Sequence, residues 1–370
     1  MHLKNLHLVH FKNRDQADLE FVDGINCFVG NNGVGKTNLL DSIYYLAFCK
    51  SFFNPIDSQN IQYDEGFFVI EGTFDRNEKD EKIYCGFKKG DKKQFKRNKK
   101  NYDRFSDHIG FLPLVMVSPA DTELVYDGSE VRRKFVDGVI SQFNSSYLDN
   151  LLKYNKAVSQ RNALLKKMGE EQRWDASSVE VWNMQLLQYG QPIYEARREF
   201  LDEFIPIFQQ YYNLIGNESE EVSLVYKSRL HEASFEDLLQ QSEPKDARAQ
   251  YTTVGVHKDD LKFEIKGHPL KKFGSQGQQK SFLIALKLAQ FDFMKMKKGI
   301  KPLLLLDDIF DKLDKNRVKA LMSLVSEHHF GQVFVTDANK TRIQELFEDI
   351  DTALRIFEVQ PNETKLITEK

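Results

Sequence analysis

The amino-acid sequence predicts an α/β fold: a head assembled from both ends of the chain, with a mainly helical lobe inserted between them. Three observations predict it. Short apolar or alternating runs of strand type fill the first third and return after Pro244, the second time alternating with helical stretches. From about Asp121 to Gln241 the apolar spacing changes to that of amphipathic helices. Two apolar runs end in chemistry, one in a glycine-rich loop and the other in a pair of aspartates.

Taken in order, Leu3, Leu6 and Leu8, then Leu19 and Phe21, then Ile25 to Val29, read as the first strands. Phe67 to Phe74 and Ile83 to Phe87 follow, with Lys89-Gly90-Asp91 as a hairpin-like turn. In the lobe, Leu148, Leu151, Leu152 and Asn155 share a helical face, continued by Val158 and Asn162. A second helical stretch carries Val181, Trp182, Leu186, Phe200, Phe204 and Phe208. No heptad pattern persists long enough for an extended coiled coil. Beyond Pro244, strands are expected at Leu261 to Ile265, Leu303 to Leu306 and Gln332 to Thr336, separated by helices near Gln278 to Met294 and Lys315 to His329. The expected divisions are head residues 1–120, lobe 121–244 and head 245–370.

A chain of 370 residues exceeds the ~100–200 of one domain, so a second lobe is natural. Hydrophobic residues at 41% and charged residues at 29% exclude disorder. No apolar run reaches the ~20 residues needed to cross a bilayer, and the start has Lys, His and Asn where a signal peptide needs an apolar stretch; a cytoplasmic location without a membrane partner is expected. Cys27, Cys49 and Cys85 are odd in number and form no C-x-x-C pair, which points to reduced structural thiols. Net charge is −3 but unevenly spread. The segment Lys88 to Arg104 carries nine basic residues against Asp91 and Asp103, a concentrated cationic patch on an acidic body. Lys92, Lys93, Lys96, Arg97, Lys99 and Lys100 are its candidate contacts for a phosphate backbone, with Phe95, Tyr102 and Phe105 interleaved.

The strongest motif is Gly30-Asn31-Asn32-Gly33-Val34-Gly35-Lys36-Thr37, a match to G-x-x-x-x-G-K-[ST] with a strand before it and a helix opening at Asn38. Glycines let backbone N–H groups wrap the phosphates of ATP, Lys36 adds a catalytic positive charge, and Thr37 offers a hydroxyl to Mg²⁺. Leu303 to Leu306 delivers Asp307 and Asp308 to a strand end. Asp307 is the expected metal-side carboxylate, and Asp308 the group that orients or deprotonates attacking water. Gly274-Ser275-Gln276-Gly277-Gln278 opens another helix, a second anion-binding N-terminus in a chain whose own phosphate site is already complete. A second phosphate-binding end suggests a shared site.

This glycine-serine segment resembles the signature of ABC-type ATPases, in which the loop of one subunit caps the γ-phosphate held by the other. Ser275, Gly277 and Gln278 would supply that cap, and Asp311-Lys312-Leu313-Asp314 is similar to the D-loop that crosses the same interface. Lys36 and Asp307 are 271 positions apart, longer than in transporter modules of that class and far shorter than in proteins with long coiled coils. Further strings resemble the RecF family of bacterial recombinational-repair ATPases: LVHFKN near the start, Asn38 to Tyr44, Lys50-Ser51-Phe52, Ser118-Pro119-Ala120-Asp121, Arg132 to Asp137, Ser159 to Lys166 and Gly255 to Leu261. Lys12 and Lys258 stand where that family usually has Arg, which keeps charge but loses the bidentate fork. Phe53 stands where a basic residue often follows Ser-Phe. Lys12 is carried over as a nucleotide contact, and Thr336 as a contact on the γ-phosphate side.

The resemblance implies an ABC-type P-loop ATPase head and a weak, DNA-stimulated ATPase of replication, repair and the SOS response. ATP would close a homodimer on gapped DNA or single-strand/double-strand junctions, with RecO and RecR as partners in loading RecA, and hydrolysis would reopen it. Two other classes stay open at this level: a P-loop kinase, which has no use for Ser275 and Gly277, and a transporter energy module, which has no use for the inserted lobe.

Overall fold

The computed structural model describes residues 1–216, 220–310, 317–318, 322–324, 329–348, 350–361 and 363–370. The chain forms two compact units: Met1–Asp121 with Tyr211–Asn217 and Lys280–Lys370, and Thr122–Gln210 with Glu218–Gln279. In chain order the strands are β1 (His2–Phe11), β2 (Arg14–Glu20), β3 (Ile25–Val29), β4 (Phe67–Arg76), β5 (Lys79–Lys88), β6 (Gln94–Arg97), β7 (Lys100–Asn101) and β8 (Leu114–Val117). Then follow β9 (Val222–Lys227), β10 (Asp260–Ile265), β11 (His268–Pro269), β12 (Leu303–Asp307), β13 (Val333–Asp337), β14 (Leu354–Val359) and β15 (Thr364–Glu369).

The first unit holds two six-stranded sheets. One is antiparallel, in the order β2-β1-β4-β5-β6-β7. The other runs β15-β14-β3-β13-β12-β8 and is parallel except at its β15 edge. Sequence explains the difference. The segments INCFV, LLLLD and VFVTD are buried at every position, as strands covered on both faces must be. β1 and β4 alternate buried and open positions, so one face of their sheet packs inward.

Between the sheets lies the helix Lys36–Phe48, whose Leu39, Leu40, Ile43 and Leu46 are fully buried against Leu3, Leu8, Phe68 and Ile70. Phe21 meets Phe28, Phe334 and Phe357 edge-on, with ring centroids 4.9 to 6.0 Å apart, locking β3, β13 and β14 together. Each such buried side chain contributes ~1.5–3 kcal/mol of hydrophobic stabilisation, which is why the motif-bearing strands are held so firmly.

The second unit is mainly helical, with Ser129–Phe143, Ser145–Glu171, most of the 40-residue helix Ala176–Ile215, and Phe235–Ala249. Three expectations change here. Val222–Lys227 is a strand inside the span expected to be helical, with Val222 and Leu224 buried in alternation. Pro244 lies within a helix instead of ending the lobe. The expected division at 244/245 accordingly moves to 279/280. The reason is pairing and charge: β10 takes its partner from β9, and fully buried Asp246 binds fully buried Arg161 at 2.7 Å. The expected helix at Lys315 to His329 lies largely outside the described residues. Among the described residues no helix is long and apolar enough to cross a membrane.

Two buried histidines give this fold an acid liability. His108, hydrogen-bonded to Leu46 O at 2.7 Å, and His257, bonded to Thr252 O at 3.1 Å, are both pushed down to about 4 by burial. Unfolded, each titrates near ~6.5, so the unfolded chain binds more protons between these values. Stability is therefore expected to fall as pH drops from about 6.5 to about 4, by up to ~3 kcal/mol per histidine. Urea unfolding at several pH values checks this, and a His108→Gln variant whose stability declines just as steeply over that range would contradict it.

Candidate nucleotide site and basic hairpin

The parallel register sets Asp307 beside Thr336, and Thr336 beside Phe28 near the end of the strand that enters the glycine loop. The motifs from the two chain ends therefore converge at the carboxyl edge of β12, β13 and β3, where open α/β sheets bind ligands. Gly35 has φ 98°, and a Cβ there would lie 2.4 Å from the Asn13 amide. At Gly30 a Cβ would lie 2.4 Å from Val359 O, so only glycine permits that approach. Lys36, 4% exposed, folds back so that Nζ donates to Gly30 O at 2.8 Å and to Asn31 O at 3.1 Å. The tip residues Asn31, Asn32 and Gly33 are exposed.

Thr37 Oγ1 donates to Asp307 Oδ1 at 2.9 Å, and Thr336 Oγ1 donates to the same oxygen at 2.8 Å. Burial raises the Asp307 carboxyl above the ordinary range, the two threonine hydroxyls oppose that, and neighbouring Asp308 adds to it. Asp308 has φ 46°, and its N–H donates to Thr336 Oγ1 at 2.9 Å. Fully buried Thr336 is thus the bolt between the two aspartates.

Lys12 pairs with buried Asp41 at 2.5 Å, and its ammonium sits 5.5 Å from the Phe53 ring centroid. Asp41 also accepts from Ser51 Oγ at 2.6 Å and from Phe52 N–H at 2.7 Å. Asn38 donates to Asn13 Oδ1 at 2.7 Å, and Asn13 in turn donates to Val34 O at 3.0 Å. Asn13 and its neighbour Arg14 brace the loop and are not among the site residues expected from sequence, although the string LVHFKN ends on Asn13.

In the second unit, Ser275 N–H donates to Gln278 Oε1 at 2.7 Å, and Gln278 N–H donates to Ser275 Oγ at 3.2 Å. This reciprocal capping box fixes the first turn of the helix Gln276–Lys298, leaving Ser275 exposed and Gly277 half-buried. The hydroxyl accepts as a cap and keeps its proton to donate outward. Asp314, and with it Asp311 to Leu313, lies outside the described residues.

The basic segment resolves into a hairpin of β6 and β7 whose turn, Asn98 and Lys99, has φ of 50° and 68°. Its cations divide in two. Lys92, Lys99 and Lys100 are exposed, and Lys96 lies 5.0 Å from the Tyr84 ring centroid. Lys93 instead reaches inward to Cys49 O at 2.7 Å and Asp57 at 2.9 Å, and Arg97 forms a two-bond fork on Glu81 at 2.8 and 2.9 Å. That fork raises the Arg97 pKa and lowers that of Glu81. Phe95, 1% exposed, belongs to the core, and Tyr102 and Phe105 pack beside it, so the interleaved aromatics build the hairpin. The strings around Arg132 and Gly255 are likewise structural: Arg132 forks onto Asp260 at 2.8 and 3.1 Å, and Arg197 joins Asp137 and Asp259 at 2.8 and 3.2 Å.

Comparison with known proteins follows this geometry. Residues 2–365 match the model of the RecF/RecN/SMC N-terminal domain. The DNA replication and repair protein RecF of Flavobacterium johnsoniae is 52% identical over 96% of this chain and 99% of its own length. That of Phocaeicola vulgatus is 50% identical over 98% of each. A solved structure of the recombination mediator protein RecF-ATP in the RecFOR pathway has a TM-score of 0.89 at 29% identity, covering 99% of this chain and 98% of that one. The Smc head domain of Pyrococcus furiosus, at 16% identity and a TM-score of 0.57 over 99% of this chain and 96% of its own, shares the fold.

Replacing Thr336 with Val keeps its shape but deletes the hydroxyl that serves both aspartates. Thr336→Val is expected to destabilise the fold by ~1–3 kcal/mol, because Asp308 N–H loses its acceptor in a buried place. A urea midpoint equal to that of the parent chain would contradict the bolt.

Proposed function

The chain belongs to the RecF family, with the α/β ABC-type ATPase head its relatives share, and on that premise we propose that it is an ATP-gated DNA-binding protein of replication and recombinational repair. One observation carries the reading: Thr37 and Thr336 converge on Asp307 directly beside the loop that holds Lys36. That arrangement supports a triphosphate site with Thr37 and Asp307 on its metal side.

On ATP binding, Lys36 exchanges the carbonyls of Gly30 and Asn31 for phosphate oxygens, and the loop N–H groups supply the remaining donors. The Thr37 hydroxyl and Asp307 carboxylate, 2.9 Å apart, fit Mg²⁺, a hard cation that takes few protein oxygens and completes its shell with phosphate and water. Among the described residues no cluster of three His, Cys, Asp or Glu side chains forms a metal cage, in keeping with a cation delivered with the nucleotide. When bound, Mg²⁺ would supply neutralisation of phosphate charge, held by Thr37 and Asp307. Asp308, held by its own N–H on Thr336, orients the attacking water and takes its proton. The exposed Ser275 hydroxyl and the N–H groups of the helix it caps then serve the γ-phosphate of a second copy, so two chains close over each nucleotide. Asp314 would cross the same interface. Hydrolysis removes the shared γ-phosphate and opens the pair, which suits a slow clamp.

DNA is gripped by Lys92, Lys96, Lys99 and Lys100 on the basic hairpin, while Lys93 and Arg97 hold that hairpin to the body. The contact is to the phosphate backbone and therefore independent of sequence and sensitive to salt. Gapped DNA or a single-strand/double-strand junction is the preferred target, and RecO and RecR are the partners with which RecA is loaded. Sedimentation of the full chain with and without ATP and gapped DNA tests the reading. A strictly monomeric ATP state would sink it in favour of a P-loop kinase.

Two variants separate the steps. Lys36→Ala is expected to abolish ATP binding, measured by calorimetry. Asp308→Asn is expected to bind ATP, remain dimeric and turn over at least ~100-fold more slowly, as for loss of a general base; turnover equal to the parent would remove Asp308 from that role. Changing Lys92, Lys96, Lys99 and Lys100 together to Glu is expected to weaken binding of gapped DNA by at least ~10-fold, with nucleotide affinity unchanged. A gel-shift titration checks this, and full retention of DNA would take the hairpin out of the interface.

A further inference from the structure

Arg14 stands behind the phosphate loop and is 2% exposed. Its guanidinium donates only to main-chain carbonyls: Nη2 to Val34 O at 2.8 Å, and Nη1 to Gln360 O at 2.7 Å and to Pro361 O and Glu363 O at 3.4 Å each. Val34 lies inside the glycine loop, whereas the other three carbonyls belong to the turn joining β14 to β15. Nε is buried without a hydrogen-bond partner. Among the described residues no carboxylate pairs with this cation, and burial draws its pKa below the ordinary arginine value.

Carbonyl dipoles engage the two Nη groups, leave Nε unmet and do not cancel the net charge. A buried cation without an anion is costly, and the cost is recovered when negative charge arrives close by. The nearest place built for negative charge is the loop whose carbonyl Arg14 grips. Coulombic attraction falls as the inverse of distance and is screened least for a buried charge such as Arg14, so contact with phosphate is not required. The β14–β15 turn shares the arrangement from its other side, because Val359 O closes on Gly30 where only glycine fits.

We infer that Arg14 is the second fixed cation of the nucleotide site, a positioning residue that acts through the Val34 carbonyl and fastens the phosphate loop to the β14–β15 turn. The inference rests on the triphosphate reading of Lys36. Two consequences follow. Affinity for the triphosphate depends on the charge at position 14 and not merely on its bulk, and a bound triphosphate tightens a turn near the far end of the chain.

Calorimetry on the full chain with Mg-ATP and Mg-ADP tests both the charge and the contact. Arg14→Gln keeps a donor but removes the charge, and is expected to raise the Kd for Mg-ATP about tenfold, and that for Mg-ADP by less. Arg14→Lys restores the charge and is expected to return Kd to within about threefold of the parent. If Arg14 were only a structural bolt, both variants would melt lower with unchanged Kd, which overturns the proposal. Should Arg14→Gln not fold, the parent chain decides: Mg-ATP is expected to slow amide exchange at Gln360 and Glu363, whose N–H groups bond across the turn at 2.8 and 3.4 Å. Exchange that nucleotide leaves unaltered overturns it equally. A Lys36→Ala chain that still bound Mg-ATP would instead defeat the phosphate-loop reading itself, whatever Arg14 does.

Discussion

The Asp307 carboxylate, held by one threonine from the phosphate-loop helix and another from the neighbouring strand, is the constraint on which the rest of this protein depends. It gathers β3, β12 and β13, drawn from sequence positions hundreds apart, into one edge with angstrom-level register. A carboxylate is expensive to bury unless its oxygens are satisfied, and here two hydroxyls satisfy the buried one. Hydrophobic packing supplies the rigidity behind it. Phe21, Phe28, Phe334 and Phe357 interlock along the same strands, so the site stands on a buried aromatic layer.

Around this edge, the positive charges have distinct tasks. Lys36 is held by the loop carbonyls of Gly30 and Asn31. Lys12 is neutralised by Asp41, which is itself tied to Ser51 and Phe52, so its charge is already answered before any ligand arrives. On the basic hairpin the same division separates Lys93 and Arg97, paired inward, from Lys92, Lys99 and Lys100, which face water. Charge counted along the chain cannot make this distinction. It depends on which carboxylate the fold brings within reach.

The inserted unit has a different logic. Buried ion pairs, Arg161 with Asp246 and Arg197 with Asp137 and Asp259, cross a body of long helices. Several strings that resemble family motifs, around Arg132, Arg161 and Gly255, turn out to build this network. Such pairs cost desolvation and reward only correct geometry, so they specify one packing more than they add net stability. Ser275 depends on the same body, because the capping box with Gln278 fixes the loop it presents.

Much of the head was legible beforehand. The glycine loop between strand and helix, the apolar run ending in Asp307, and the Ser275 helix start are local patterns, and each sits on the element expected for it. Strand β9 was hidden because its alternation is only a few residues long amid helical sequence, and Pro244 misled because a proline can be housed within a helix when tertiary packing holds the flanks. The sequence by itself therefore determined the fold class, the P-loop and the residue types of the site. Tertiary structure alone decided that Thr336 bolts the two aspartates, that Lys93 and Arg97 are engaged inward, and that Arg14 spans from Val34 to residues near the other end of the chain. Those facts are contacts between residues tens to hundreds of positions apart, and short-range periodicity carries no information about which distant partner a side chain will meet.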